Sequence, residues 1–442
     1  MTKDELKAAA LQYHAEPVPG KISVKTTKPC FTADELSLAY TPGVAVPCLE
    51  IKDEPANVWK YTARSNTVAV VSDGTAVLGL GNIGPEAGMP VMEGKAVLFK
   101  RFADIDAMAL CIGKVFNEKG RTDAAKVIET VERLEPSFGG INLEDIGAPA
   151  CFEVEQTLKK RMNIPVFHDD QHGTAIISLA AIMNALKLVG KKISDCRFVV
   201  NGAGAAGISC SELYITTGAD RKKFLMFDSK GVISSKRTDL NAEKARFANE
   251  TEVTSLAEAL VGADVFLGLS VGGCVTPEMV KTMAPGAIIF AMANPVPEIH
   301  PQLARDAGAA VVGTGRSDFP NQINNVLGFP GIFRGALDVR ATDINEEMQL
   351  AASRAIAEVA CEKVPEEIKA YMMAAYPSDY AAGIFDPEMP LSFDYVIPKP
   401  FDCRVVPRVA RYVAEAAMKT GVAQIQIDDL AAYEREVMTR IK

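Results

Sequence analysis

At 442 residues the chain is too long for one ordinary core, so two or three domains are expected. A hydrophobic content of 48% and a mean hydropathy of +0.09 describe a soluble globular protein. The net charge of −9 is spread out rather than blocked, which excludes nucleic-acid or anionic-membrane binding as an organising function.

The N-terminus, Met1-Thr2-Lys3-Asp4-Glu5-Leu6, lacks the apolar core of a signal peptide, and no run reaches membrane-spanning length without polar interruption. Nine scattered cysteines without a CxxC pair fit reduced thiols, so a cytoplasmic enzyme is the expectation. Residues 1 to about 30 read as a helix and then the extended segment Pro17-Val18-Pro19-Gly20-Lys21. Next, Tyr40-Thr41-Pro42-Gly43 marks a tight turn directly after a tyrosine, which by itself reads as an ordinary half-buried aromatic.

Thr67-Val68-Ala69-Val70-Val71-Ser72 is a β-branched strand, and Leu78-Gly79-Leu80-Gly81-Asn82-Ile83-Gly84 follows it. These glycines resemble a dinucleotide fingerprint, but Pro85 and Pro90 interrupt the helix that should follow. A glycine-rich turn lining a pocket is the expectation. Lys95 then heads an apolar helix. Such a lysine is usually a solvated helix end; partly buried beside a dication, it would have a depressed pKa and could act as a base. Ile105 to Ile112 reads as a buried strand and Lys126 to Leu134 as a helix.

From Gly139 to Ala175, two acidic pairs sit inside apolar sequence: Asn142-Leu143-Glu144-Asp145-Ile146, and His168-Asp169-Asp170-Gln171-His172-Gly173-Thr174. Each follows a short apolar run, as expected of buried parallel strands delivering side chains at their carboxyl ends. Glu144, Asp145, Asp169 and Asp170 could simply cap the helices that follow. Two pairs behind two strands point instead to a hard-cation site, with Mg²⁺ or Mn²⁺ completing its shell with water and substrate.

An apolar helix from Thr174 to Val189 leads to Cys196-Arg197-Phe198-Val199-Val200 and then Asn201-Gly202-Ala203-Gly204-Ala205-Ala206-Gly207. This is Gly-x-Gly-x-x-Gly between a strand and a helix, with a second strand ending in Asp228 about twenty residues on. Gly202, Ala203, Gly204, Ala205, Ala206 and Gly207 would cradle the pyrophosphate, and Thr174 joins the cofactor-binding set. Asp228 favours NAD, yet Lys230, Lys236 and Arg237 lie close enough to hold a 2′-phosphate, so NADP and NAD both stay open. Further strands are expected at 264–268, 287–291 and 309–313. Asn294 and Asn325 occupy loop positions; Asn before Pro is commonly plain turn chemistry, while strand-end loops of a dinucleotide domain face cofactor and substrate, so both readings stay open.

The fold expected is α/β. An N-terminal catalytic domain (1–170) precedes a doubly wound, Rossmann-type NAD(P)-binding domain (171–385). A C-terminal helical segment (386–442) packs on the first domain or on a partner subunit. A homodimer is the expectation, as the commonest assembly.

These ordered motifs resemble malic enzyme of the short prokaryotic type, over nearly the whole sequence. The resemblance rests on Tyr40-Thr41-Pro42-Gly43-Val44, Leu78 to Gly84, Gly94-Lys95, Asn142 to Ile146, Asp169 to Ala175, Gly202 to Gly207, Asn294-Pro295 and Asn324-Asn325. It implies metal ligands Glu144, Asp145 and Asp170, a tyrosine acid at Tyr40 and a lysine base at Lys95. It further implies substrate and nicotinamide contacts from Asn294 and Asn325, with Asp169 orienting Lys95 or a metal-bound water. The implied reaction is oxidative decarboxylation of L-malate to pyruvate and CO₂ with reduction of NAD(P)⁺. Longer members carry a substrate-clamping arginine before the glycine turn; this chain has Thr75-Ala76-Val77 there, leaving that role unassigned. Nor does the chain as given have room for the phosphotransacetylase-like domain of some bacterial members. Two other classes compete. An amino-acid dehydrogenase would need no metal, which the acid pairs oppose, and a cofactor-binding sensor would not need Tyr40, Lys95 and both acid pairs.

Overall fold

The computed structural model describes residues 2–77, 79–388 and 390–441; Leu78 of the glycine-rich turn lies outside the described residues. The β-branched run at 67–72 forms β1 (Thr67–Ser72), buried along its whole length. It is flanked in parallel by β2 (Asp106–Cys111) and β3 (Gly140–Leu143), and β3 by β4 (Val166–His168), giving the order β2-β1-β3-β4. Parallel pairing brings every carboxyl end to one edge. Asp73, Glu144 and Asp169, each the residue just after a strand, therefore gather there.

The glycine-rich segment doubles back, with the Ile83 and Gly84 amides donating to the Gly74 carbonyl at 3.2 and 3.1 Å. A 19-residue helix, Pro85–Ala103, starts at once. This corrects the expectation that prolines break it and that Lys95 heads it. Pro85 occupies the first turn, where a missing N–H costs nothing, and Pro90 gives up one donor a turn further in. Lys95 is therefore mid-helix, on the face packed against the first sheet.

The second sheet comprises β5 (Phe198–Asn201), β6 (Phe224–Asp228), β7 (Gly231–Val232), β8 (Val265–Gly268), β9 (Ile288–Ala291), β10 (Val311–Thr314) and β11 (Asn321–Gln322). Its order is β11-β10-β9-β8-β5-β6-β7, parallel except for the β6–β7 pair. Strand order reverses between β5 and β8, which is the crevice where open α/β sheets take their ligands.

The helix Asp169–Val189 joins the two sheets. It starts directly at the end of β4, and its body packs against the helices Ala205–Thr216 and Glu346–Cys361. The Ser353 hydroxyl donates to Ile176 O at 3.0 Å. By length and composition this one helix could cross a membrane, against the expectation that no run reaches that length. Its apolar faces are spent inside the protein, where Ile176 to Ile182 are buried. The helix Val405–Lys419 packs on Phe329–Asp338 and Glu346–Cys361, and the last helix, Leu430–Ile441, packs on it and on Pro85–Ala103. All nine cysteines are free thiols.

Candidate active site

Lys95 reaches the carboxyl edge of the first sheet and meets two buried acids there. Its Nζ stands 2.6 Å from Asp169 Oδ2 and 3.0 Å from Glu144 Oε1, with the Phe329 ring face 4.2 Å away. Asn142, on β3, donates to Glu144 Oε2 at 2.8 Å. Asn325 arrives from the second sheet's side: its Nδ2 donates to Asp169 Oδ2 at 2.9 Å, and Thr174 donates to Asn325 Oδ1 at 3.2 Å. Asp169 can fold back over its own helix only because residue 173 is glycine. A Cβ there would stand 2.1 Å from Asp169 Oδ1. Spacing alone did not disclose that requirement, although Gly173 lies inside the motif that carries the acids.

Asp145 follows Glu144 in the left-handed region, at φ +55°, a conformation that aspartate tolerates better than most residues. Its amide donates to Asp170 Oδ2 at 2.7 Å, and its carbonyl accepts from Ala76 N at 3.0 Å. The two acid pairs are thus locked to each other through the backbone. Thr75 supports them from behind: its hydroxyl accepts from Gly147 N at 2.8 Å and donates to Asp73 Oδ1 at 2.7 Å. At the position for which the sequence resemblance implies a substrate-clamping arginine, this chain has a hydroxyl brace.

The charge here does not balance. Glu144 and Asp169, both buried, share one ammonium, that of Lys95. Burial alone would lower the Lys95 pKa, but Asp169 and Glu144 outweigh it and hold the ammonium above the ordinary lysine range. The expectation of a depressed lysine pKa is tied to a neighbouring dication; the two acids by themselves act in the opposite direction. Glu144 is pushed well above the usual carboxylate range by its burial; Lys95 opposes the shift, and Asp170, Asp169 and Asp145 add to it. Asp169 Oδ1 is buried without a hydrogen-bond partner. Among the described residues no three acid, histidine or cysteine groups stand as a ready-made ligand cage. Glu144 is held by Lys95 and Asn142, and Asp170 by the Asp145 amide. The donor chemistry, carboxylate oxygens gathered at one sheet edge, nevertheless fits a hard dication.

Behind the cluster lies a carboxylate that the sequence reading missed. Glu155, buried on the helix Ala150–Arg161, accepts from the His168 amide at 3.0 Å and pairs with His172 Nε2 at 2.8 Å. It staples the residues on either side of Asp169 and Asp170. Burial would raise its pKa, but His172, Lys159 and His168 hold it down at about 2. Its signal in the sequence is faint: an acid on a helix face otherwise apolar.

In the second sheet the fingerprint has the expected geometry. The helix Ala205–Thr216 begins just after Gly204, and a Cβ on Gly207 would stand 1.9 Å from Gly202 O, so Gly207 alone lets the turn close. Asp228 ends β6 with both oxygens occupied. Arg237 bonds them at 2.7 and 3.1 Å, Lys244 bonds Oδ2 at 2.7 Å, and the Lys230 amide donates to Oδ1 at 3.0 Å. Lys230 itself pairs with Asp239, and Lys236 with Glu252, away from Asp228. Lys244 sits on the short helix Ala242–Ala245 and was not anticipated. A cleft of about 1600 Å³ runs from Thr75 and Gly147, behind the acid cluster, to Ser229, Lys230 and Lys244.

Asn294 stands where the two units meet. A Cβ on Gly79 would lie 3.1 Å from Asn294 O, and one on Gly315 3.0 Å from its Nδ2. Tyr40 is not brought to the cluster. It terminates the helix Ala33–Ala39, is 69% exposed, and makes no hydrogen bond through its hydroxyl among the described residues.

Family models cover most of the chain. Residues 19–159 match "Malic enzyme, N-terminal domain" and residues 171–377 match "Malic enzyme, NAD binding domain". The NADP-dependent malic enzyme of Escherichia coli (strain K12) is 54% identical over 433 residues, which are 97% of this chain and 54% of that protein. This chain therefore spans about half the length of some of the curated relatives it matches. The NADP-dependent malic enzyme of Halomonas elongata is 52% identical, with 95% of this chain and 96% of that one covered. The bifunctional malic/malolactic enzyme of Bacillus subtilis is 54% identical, with 97% of both covered. The crystal structure of malic enzyme from Pyrococcus horikoshii Ot3 superposes with a TM-score of 0.86 at 42% identity, over 99% of this chain and 96% of that one.

Proposed function

The chain belongs to the malic enzyme family, and on that premise we propose that it converts L-malate to pyruvate and CO₂ with reduction of NAD(P)⁺, assisted by Mg²⁺ or Mn²⁺. The observation that carries the reading is the pair of buried carboxylates, Glu144 and Asp169, on one buried ammonium, with Asp170 tied to the same sheet edge through the Asp145 amide. Glu144, Asp145 and Asp170 are the proposed ligands. Bound there, the cation supplies Lewis-acid polarisation of the substrate oxygen, and the dinucleotide accepts the hydride.

Lys95 takes the hydroxyl proton. It must first lose its own proton to solvent, and a dication held by Glu144 would offset one of the two acids that keep it charged. Asp169 then orients the amine and stabilises it once protonated. Asn325, bound to Asp169, and Asn294, at the meeting of the two units, are the proposed contacts to substrate and nicotinamide.

Tyr40 is the proposed acid for the enolate. It belongs to an arm whose Leu11, Val24, Phe31, Leu38 and Val46 are also exposed, and a second copy of the chain is the partner that would cover such a surface. The expected assembly is a homodimer, checked by analytical ultracentrifugation. Nine free thiols fit a cytoplasmic setting.

NADP is the favoured cofactor. Asp228 is neutralised by Arg237 and Lys244, so it no longer repels a 2′-phosphate, and both cations flank the place where that phosphate would lie. The test is absorbance at 340 nm with L-malate and Mn²⁺, with NADP⁺ or NAD⁺, with and without EDTA. Chelator-sensitive reduction yielding pyruvate, faster with NADP⁺, is expected; no reduction with either cofactor overturns the reading. The Bacillus subtilis relative favours one further assay. Lactate in place of pyruvate would mean that the hydride is returned before release.

A further inference from the structure

Glu298 is a fully buried carboxylate at the carboxyl edge of the cofactor sheet, where backbone amides and no cation meet it among the described residues. Oε1 accepts from Ser270 N at 3.0 Å and Oε2 from Ala293 N at 3.0 Å. A Cβ on Gly268 would stand 2.4 Å from Glu298 Cδ, so the bare backbone at the end of β8 is what gives the carboxylate its place. Burying a charge this way is costly unless both oxygens are satisfied, and here each oxygen serves a different loop.

Those loops converge on the crevice. Ser270 follows β8, and its hydroxyl accepts from Asn201 Nδ2 at 2.8 Å; Asn201 immediately precedes the Gly202 turn. Leu269 N donates to Asn201 O at 2.8 Å, and a Cβ on Gly202 would stand 2.4 Å from Leu269 O. Ala293, the second partner, immediately precedes Asn294. One carboxylate therefore ties the loop after β8 to the loop after β9 that carries Asn294, and Ser270 and Leu269 carry the link on to Asn201 across the point where strand order reverses.

We propose that Glu298 is a positioning residue for the nicotinamide half of the cofactor, fixing the Asn294 loop relative to the phosphate turn. The phosphate end keeps its own anchor in Gly202 to Gly207. This rests on the dinucleotide reading above.

The test compares whole cofactor with a fragment that lacks the nicotinamide. Wild type and Glu298→Gln are titrated calorimetrically with NADPH and NADH, and with 2′-phospho-ADP-ribose and ADP-ribose. Glutamine keeps the size but turns an amide donor towards a backbone N–H. Affinity for whole cofactor is expected to fall about tenfold, the scale of one lost charge-assisted hydrogen bond, while fragment affinity stays within about twofold. Glu298→Asp keeps both acceptors and should recover part of the loss; if the glutamine variant does not fold, the aspartate variant carries the test with the same selectivity at smaller size. Equal losses for cofactor and fragment, or none for either, overturn the proposal. Wild type that binds neither cofactor nor fragment would instead sink the dinucleotide reading itself.

Discussion

Asp228 and Glu144 both stand at the carboxyl end of a parallel strand, half-way into a crevice, yet their surroundings have opposite charge. Asp228 has two cations and an amide on its two oxygens, and its pKa is driven far below the usual carboxylate range; burial works against that shift, and Arg237 and Lys244 overcome it. Glu144 shares one ammonium with Asp169 and is pushed up by its burial, to which the neighbouring acids add. A carboxylate supplied with more positive charge than it needs prepares a place for an anion. A group of carboxylates supplied with less prepares a place for a cation. The contrast is what supports placing the proposed phosphate in one crevice and the proposed metal in the other.

The strongest way to break that contrast is to take a carboxylate out of the under-neutralised group. Asp170→Ala is expected to abolish metal-dependent turnover, a loss beyond about 100-fold, since even outer partners of metal ligands are worth about 10–100-fold. Near-normal rates with an unchanged Mn²⁺ requirement would remove Asp170 from the ligand set. Lys95→Ala comes next. Malate oxidation should fall by about 10²–10⁴-fold, with cofactor binding measured by fluorescence unchanged. A mutant that still reduces cofactor would refute its role as base.

The same imbalance sets a pH signature in the metal-free protein. Glu144 has a raised folded pKa, so it is tolerated below the ordinary carboxylate value of 4.5 and costs stability as pH rises beyond it. Added Mn²⁺ should therefore raise the melting temperature more at pH 8 than at pH 5, and an equal rise at both would count against the imbalance. Glu155 has the opposite sign. Its depressed pKa contributes stability above about 4.5 that is lost as pH falls towards about 2, on the order of 3 kcal/mol. Glu155→Gln should thus unfold earlier in urea at pH 7 and approach wild type in acid. The smallest effect belongs to the balanced crevice. Arg237→Ala should shift the NADP⁺ over NAD⁺ preference by about tenfold towards NAD⁺, the worth of one charged hydrogen bond; a preference that does not move would detach Arg237 from the phosphate.

What could be read beforehand follows the range over which each signal acts. The strands β1, β5 and β6 were legible because a β-branched or apolar run between turns has few other uses, and the Gly202 to Gly207 fingerprint because its geometry is local. The acid pairs were legible by chemical type. The helix over Pro85 and Pro90 was not, because proline's usual effect was read without its position in the first turns. Lys244 and Glu155 escaped because their partners lie 16 and 13 residues away, beyond any local spacing rule. Glu298 escaped because it binds backbone amides, which no residue type announces. Tyr40 stands exposed in the single chain, and its proposed role rests on the proposed second copy.

The helix that starts at Asp169 carries acids of the first crevice on its first turn, and its body is clamped among helices of the cofactor unit. At 1.5 Å per residue, its 21 residues make a rod about 30 Å long. A tilt of about 2° about the far end displaces the carboxylates by about 1 Å, a misplacement that costs catalysis on the order of 100-fold. By that geometry a packing change near Val189 that tilted the rod would be felt, amplified, at Asp170. Contacts that hold the body of the rod, such as Ser353 against Ile176, would then bear on the alignment of the acids without touching them.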